Sequence, residues 1–142
     1  MKTIYKNSLK YKILNRIKNI SGNVVLRSDF RNLGSYRQIS RILDTLIEEK
    51  KLVRISFGVY AKAETSKYIE EPILKTSFDA VTKEALNRMN IKWDLTTAQK
   101  AYNEGKTTQI PVYPGVRLRS RCRRDFSFGN SLLRYENNTY AR

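Results

Sequence analysis

The segment Ser35–Lys50, SYRQISRILDTLIEEK, limits the possible folds more than any other part of the chain. Ile39, Ile42, Leu43, Leu46 and Ile47 recur at the three- and four-residue spacing of one helical stripe. Ser35 and Gln38 occupy the two positions of a capping box. There the hydroxyl accepts a first-turn amide, and the glutamine reaches back to the cap's own N–H. A helix with one oily stripe must lie against something, and the neighbouring segments supply it.

Upstream, residues 8–20 read as an amphipathic helix with Leu9, Ile13, Ile17 and Ile20 inward, ended by Ser21-Gly22. Val24-Val25-Leu26 reads as an edge strand. Ser28-Asp29 offers N-cap chemistry for a brief helix through Leu33, closed by Gly34. Downstream, residues 52–62, LVRISFGVYAK, alternate and are broken by Gly58, as in a hairpin turning near residues 56–58. Helix, strand, short helix, tight turn, long helix, hairpin is the order of a winged helix-turn-helix.

The remainder differs in character. Residues 64–75 are polar and carry Pro72, so they read as a linker. Residues 77–89 suit a helix, and Thr96-x-x-Gln99 is a second capping box, opening a short helix that stops before Gly105. Strand patterns follow at 109–115, 116–128 and 131–137, with a Gly129-Asn130 turn. The expected class is α+β: an N-terminal winged helix-turn-helix domain (1–63), a linker (64–75) and a small C-terminal domain of helix plus antiparallel strands (76–142).

Charge indicates the partner. The 142 residues carry 28 Lys and Arg against 13 Asp and Glu, with a formal net charge of +15. Residues 1–62 hold 14 basic and 4 acidic residues (+10), leaving 14 and 9 (+5) for the rest. Such an excess repels itself unless a polyanion lies against it, and it is densest on the half that patterns as a DNA reader. Double-stranded DNA is the expected partner. The composition argues against several other classes. No His is present, which removes the usual neutral-pH general base, and one Cys without His cannot build a zinc shell. We expect no enzyme, cofactor or metal. Glu48-Glu49-Lys50-Lys51 resembles a nuclease string only superficially, since it falls at a helix end. No apolar run is long enough to span a membrane, the N-terminus has no apolar signal core, and a lone Cys122 suits a reducing cytoplasm.

In a helix-turn-helix the second helix reads bases with its first residues. Here Ser35, Tyr36, Arg37, Gln38 and Arg41 occupy that face. Arginine suits guanine O6 and N7, and glutamine suits adenine N6 and N7. Gln38 serves the cap as well. Arg27, Ser28 and Arg31 are expected on phosphate, as are Arg54, Ser56 and Lys62 in or beside the wing; Arg54 can equally be a framework residue. In VRLRSRCRR, strand geometry puts Arg117, Arg119, Arg121 and Arg123 on one face as a second basic ridge. The competing function is a stand-alone phage or plasmid interaction protein, binding RNA or an acidic protein through that ridge.

The string SDFRNLGSYRQISRILDTLIEEKKLVRISFGVYAK resembles the winged-helix part of the AbiEi-like antitoxins of type IV, abortive-infection toxin–antitoxin systems. The features are Asp29-Phe30, Leu33-Gly34-Ser35, Leu46 with Lys50, Leu52-x-Arg54 and Gly58-x-Tyr60. Thr108-Gln109-Ile110-Pro111 is similar to a segment of that family's second domain. The resemblance implies a regulator that represses its own operon at inverted repeats. It further implies functional pairing with a nucleotidyltransferase toxin without a stable complex. By position, it assigns DNA contacts to Arg37, Gln38, Arg41 and Arg54.

Overall fold

Four hydroxyls open the α-helices of the described residues. A computed structural model describes residues 8–109 and 114–136. In it the side chains of Ser8, Ser35, Ser77 and Thr96 each accept the backbone N–H three residues on. They open α1 (Leu9–Asn19), α2 (Tyr36–Glu48), α3 (Phe78–Arg88) and α4 (Thr97–Asn103). Both capping boxes form. Ser35 Oγ accepts the Gln38 N–H at 3.1 Å while Gln38 Oε1 accepts the Ser35 N–H at 3.0 Å. Thr96 and Gln99 repeat the exchange at 3.2 and 3.0 Å. The class is α+β, and the chain divides into two compact units, Met1–Thr76 and Ser77–Arg142. No helix among the described residues is long and apolar enough to cross a membrane.

In the first unit, the strands are β1 (Val24–Leu26), β2 (Leu52–Ser56), β3 (Val59–Ser66) and β4 (Ile69–Leu74). All pairings are antiparallel: β3 lies between β1 and β2, and β4 pairs with the far end of β3. The stripe of α2 is inward as its spacing requires, with Ile39, Leu43 and Leu46 buried against Ile13, Val25, Phe30, Leu52 and Tyr60. Ile42 and Ile47 flank that cluster, as do Leu9, Ile17 and Ile20 of α1.

Two expectations need correction here. The brief helix through Leu33 is a single 3-10 turn, Arg27–Phe30. Asp29 does not follow a Ser28 cap; its carboxylate accepts the Leu26 N–H at 2.9 Å and folds the chain into the tighter turn. Residues 64–75 are not a linker. Most of them complete β3 and form β4, with Ala63 opposite Leu74 and Ser66 opposite Ile69. Their polarity reflects an edge strand with little to bury, where Pro72 is tolerated because one side of the strand lacks a ladder.

The second unit places β6 (Gly115–Leu118) between β5 (Trp93–Asp94), antiparallel, and β9 (Arg134–Glu136), parallel. A separate small hairpin pairs β7 (Ser127–Phe128) with β8 (Ser131–Leu132) around Gly129. An all-antiparallel arrangement was expected, and the β6–β9 pair departs from it. Val81, Ala85, Leu86, Val116, Leu118, Phe126 and Leu133 are its buried apolar side chains, with Cys122. Most of the strand expected at 109–115 lies outside the described residues, as does the Ile110-Pro111 pair.

Candidate nucleic-acid interface

The cap at Ser35 fixes the direction in which α2 begins, and the buried stripe fixes its rotation. Together they turn Tyr36, Arg37, Gln38 and Arg41 outward, and all four are exposed. Arg37 and Arg41 stand four residues apart, hence on one face. Among the described residues no salt bridge engages Arg31, Arg37 or Arg41, although five other pairs bind cations to carboxylates in this unit or its neighbour within 3.4 Å. Ser28 and Arg31, on the preceding turn, are also exposed. Gln38 differs from its expected role: the cap occupies its carbonyl oxygen, so two-point pairing with adenine is unavailable while that bond holds.

Arg27 organises the surface rather than lying open on it. Its guanidinium carbon is 4.8 Å from the ring centroid of Tyr36 and 5.2 Å from that of Phe57. Tyr36 opens α2; Phe57 is in the turn between β2 and β3. One side chain therefore bridges helix start and hairpin tip. Below, Arg27 Nη2 donates to the hydroxyl of Tyr60 at 3.0 Å, and Tyr60 is fully buried. The Arg27 backbone N–H also donates to Gly58 O at 3.0 Å. Gly58 is required twice: its φ is +70°, and a Cβ there would lie 3.1 Å from Arg27 Nη1. Both aromatic rings remain open, Tyr36 at 63% and Phe57 at 68% exposure. Sequence reasoning missed this clamp and assigned Arg27 to phosphate. The available signal was the placement of a cation just before a turn residue and two aromatics in a hairpin.

Two further residues, Lys62 and Ser56, leave their expected places. Lys62 Nζ donates to the Ile20 carbonyl at 2.6 Å, a lysine on the C-terminal end of α1, where the helix dipole and orphan carbonyls favour a cation. Ser56 is buried at the register shift of β2 against β3, because two residues of β2 there face one of β3. Arg54 is exposed, pairs with Asp44 of α2 at 3.3 Å, and its guanidinium lies 5.9 Å from the Tyr60 ring, contacts that fit the framework alternative expected for it. Arg16, not singled out beforehand, donates to Asp29 O at 2.8 Å and ties α1 to the 3-10 turn. At the far end of α2, Glu49 binds Lys10 at 2.6 Å, and the hydrogen bond from that ammonium holds its carboxyl below the ordinary 4.5.

The second basic ridge survives in exposure but not as one strand. Arg117, Arg119, Arg121 and Arg123 are all exposed, while Leu118 and Cys122 between them are buried. β6 stops at Leu118 because the chain turns to let Ser120 Oγ accept the Lys92 N–H at 2.8 Å. Arg119 pairs loosely with Asp94 at 3.6 Å. Behind the ridge, Tyr135 donates to Arg124 O at 2.6 Å beside Cys122 Sγ at 3.6 Å; burial first, then the contact with Cys122, raises its phenol well above the ordinary 10. Among the described residues no group of three or more His, Cys, Asp or Glu could hold a metal ion.

A family model described as DUF6088, a family of unknown function, matches residues 12–140, and the chain belongs to that family. No curated protein matches it.

Proposed function

We propose that this member of the family binds duplex DNA through a winged helix-turn-helix formed by residues 8–76. In this reading α2 is the recognition helix and the β2–β3 hairpin is the wing. The observation that carries it is the Arg27 clamp, which joins the start of α2 to the hairpin tip in one exposed cationic and aromatic surface. A helix of 13 residues is about 20 Å long, and a major groove about 12 Å wide admits it end-on. Arg37 and Arg41 then reach base edges, while Ser28, Arg31 and the amides at the helix start meet phosphate. Phe57, at the wing tip, packs on sugar or wedges at a base step.

The finer role follows the resemblance: a sequence-specific transcriptional regulator, an autorepressing antitoxin that acts beside a nucleotidyltransferase toxin. The experiment is selection of bound duplexes from a random pool, followed by mobility-shift titration. Arg37→Ala is expected to weaken the selected site by about 1–3 kcal/mol and to relax base choice at one position. Unchanged binding and base choice would remove α2 as the reading element. An adjoining nucleotidyltransferase reading frame, with toxicity relieved by this chain, tests the antitoxin role.

A further inference from the structure

The second unit has a cleft of about 260 Å³ lined by Asn87, Asn90, Ile91, Lys92, Trp93 and Arg119. Its walls are fixed by short bonds. The Trp93 indole N–H donates to Asn87 Oδ1 at 2.8 Å, which sets the ring's tilt and leaves the Asn87 amide N–H groups to act as donors. Arg119 N–H donates to Lys92 O at 2.8 Å, and Lys92 N–H to Ser120 Oγ, so both cations stand on a locked backbone. Asn90 sits at φ +59° just past the end of α3. Lys83 Nζ lies over the Trp93 ring, 5.3 Å from its centroid, and is not among the residues that line the cleft.

An aromatic ring, two amides and a helix's C-terminal end make a lining that suits a flat, donor-bearing heterocycle. Arg119 and Lys92 suit the anion attached to it. The volume is just below the roughly 300–1,000 Å³ of drug-sized pockets, which is the scale of one such ring. We propose that this cleft holds one unstacked base of a single-stranded nucleic acid, stacked on Trp93, with its phosphate on Arg119 and Lys92. Arg117 and Arg121, both exposed and on either side of Arg119 in the chain, add positive charge near the site for neighbouring phosphates. The site is independent of α2 and does not rest on the duplex-binding proposal.

Trp93 is the chain's one tryptophan, so its emission reports this cleft alone. The full chain is titrated with a short uridylate RNA, a deoxyuridylate DNA of equal length and a duplex. Binding is followed both by Trp93 emission and by anisotropy of an end-labelled strand. Single strands are expected to quench Trp93 saturably and the duplex to leave it unchanged. Equal quenching by RNA and DNA shows that base and phosphate suffice; quenching by RNA alone adds the 2′-hydroxyl to what is recognised. Trp93→Ala is expected to weaken the labelled strand about 5- to 150-fold, the range for loss of one stacked base. Two milder variants guard against misfolding: Asn90→Gly, which keeps the left-handed backbone, and Arg119→Gln; each weakens the strand several-fold. Arg37→Ala leaves the quenching intact, which separates this site from the duplex interface. The proposal is overturned if strands do not bind or bind without changing Trp93 emission. It is equally overturned if both milder variants bind as tightly as the parent, or if duplex quenches as strongly as single strand.

Discussion

Replacing Arg27 by Ala separates a clamp from a phosphate contact. Arg27 is half-buried, and its removal forfeits two near cation–π contacts, at 4.8 and 5.2 Å, each worth about 0.5–1 kcal/mol where water still reaches. It also strands the hydroxyl of the fully buried Tyr60, a cost of about 1–2 kcal/mol for a polar group left without its donor. Against this, the Arg27 Nε is itself buried without a partner, so its removal returns a little. The balance is a loss of about 2–3 kcal/mol, or roughly 10–20 °C in the melting of a unit of this size. Urea titration followed by far-UV circular dichroism measures it, with amide hydrogen exchange assigning the loss to the first unit. Arg27→Lys keeps the charge without the planar fork and is expected to recover less than half. If Arg27→Ala left stability within about 0.5 kcal/mol of the parent and reduced only DNA affinity and its salt slope, the clamp would be refuted and Arg27 would be a phosphate contact after all.

Three other substitutions probe side chains that hold the two units. Lys62→Met is expected to destabilise the first unit by about 1–2 kcal/mol, by removing the cation on the Ile20 carbonyl, with affinity for DNA unchanged in a mobility-shift titration. Glu49 has a carboxyl pKa lowered by Lys10, so its contribution is present above about pH 4.5 and is lost as pH falls through the lowered value. The stability gap between the parent and Glu49→Gln should therefore close in acid, and salt should shrink it, because the pair is exposed. Tyr135, whose phenol is raised by burial, contributes in full below its ordinary value of 10 and loses that contribution as pH climbs beyond it. Tyr135→Phe should cost about 1–2 kcal/mol at neutral pH and flatten the alkaline fall in stability of the second unit.

Local chemistry was legible where it is satisfied locally. The two capping boxes and the stripe Ile39, Leu43 and Leu46 depend on residues within one helix and its neighbour, and the structure forms them as patterned. Pairings made at a distance were not legible. Lys62 and Ile20 are 42 residues apart, and Arg27 and Tyr60 are 33 apart, so no window of sequence contains either bond. β4 was misread because an edge strand buries little and its turn, at Lys67-Tyr68, lacks the glycine or asparagine that announces a hairpin. The arginine ridge was drawn as too long a strand because Ser120, an unremarkable residue in the pattern, turns the chain to bond with Lys92. Of the expected contact residues, Ser28, Arg31, Tyr36, Arg37 and Arg41 are each exposed; Arg27, Ser56 and Lys62 are drawn into the framework, and Arg54 is exposed but paired with Asp44.

The most direct measurement is guanine N7 methylation interference on the selected duplex, run in parallel with the parent chain and with Arg37→Ala and Arg41→Ala. N7 faces the major groove, so a recognition helix lying there is blocked by a methyl group at the guanines its arginines touch. The parent is expected to show interference at defined guanines, and each variant to become indifferent to methylation at one of them. Binding that ignores N7 methylation, or an interference pattern identical in all three proteins, would take the start of α2 out of the groove.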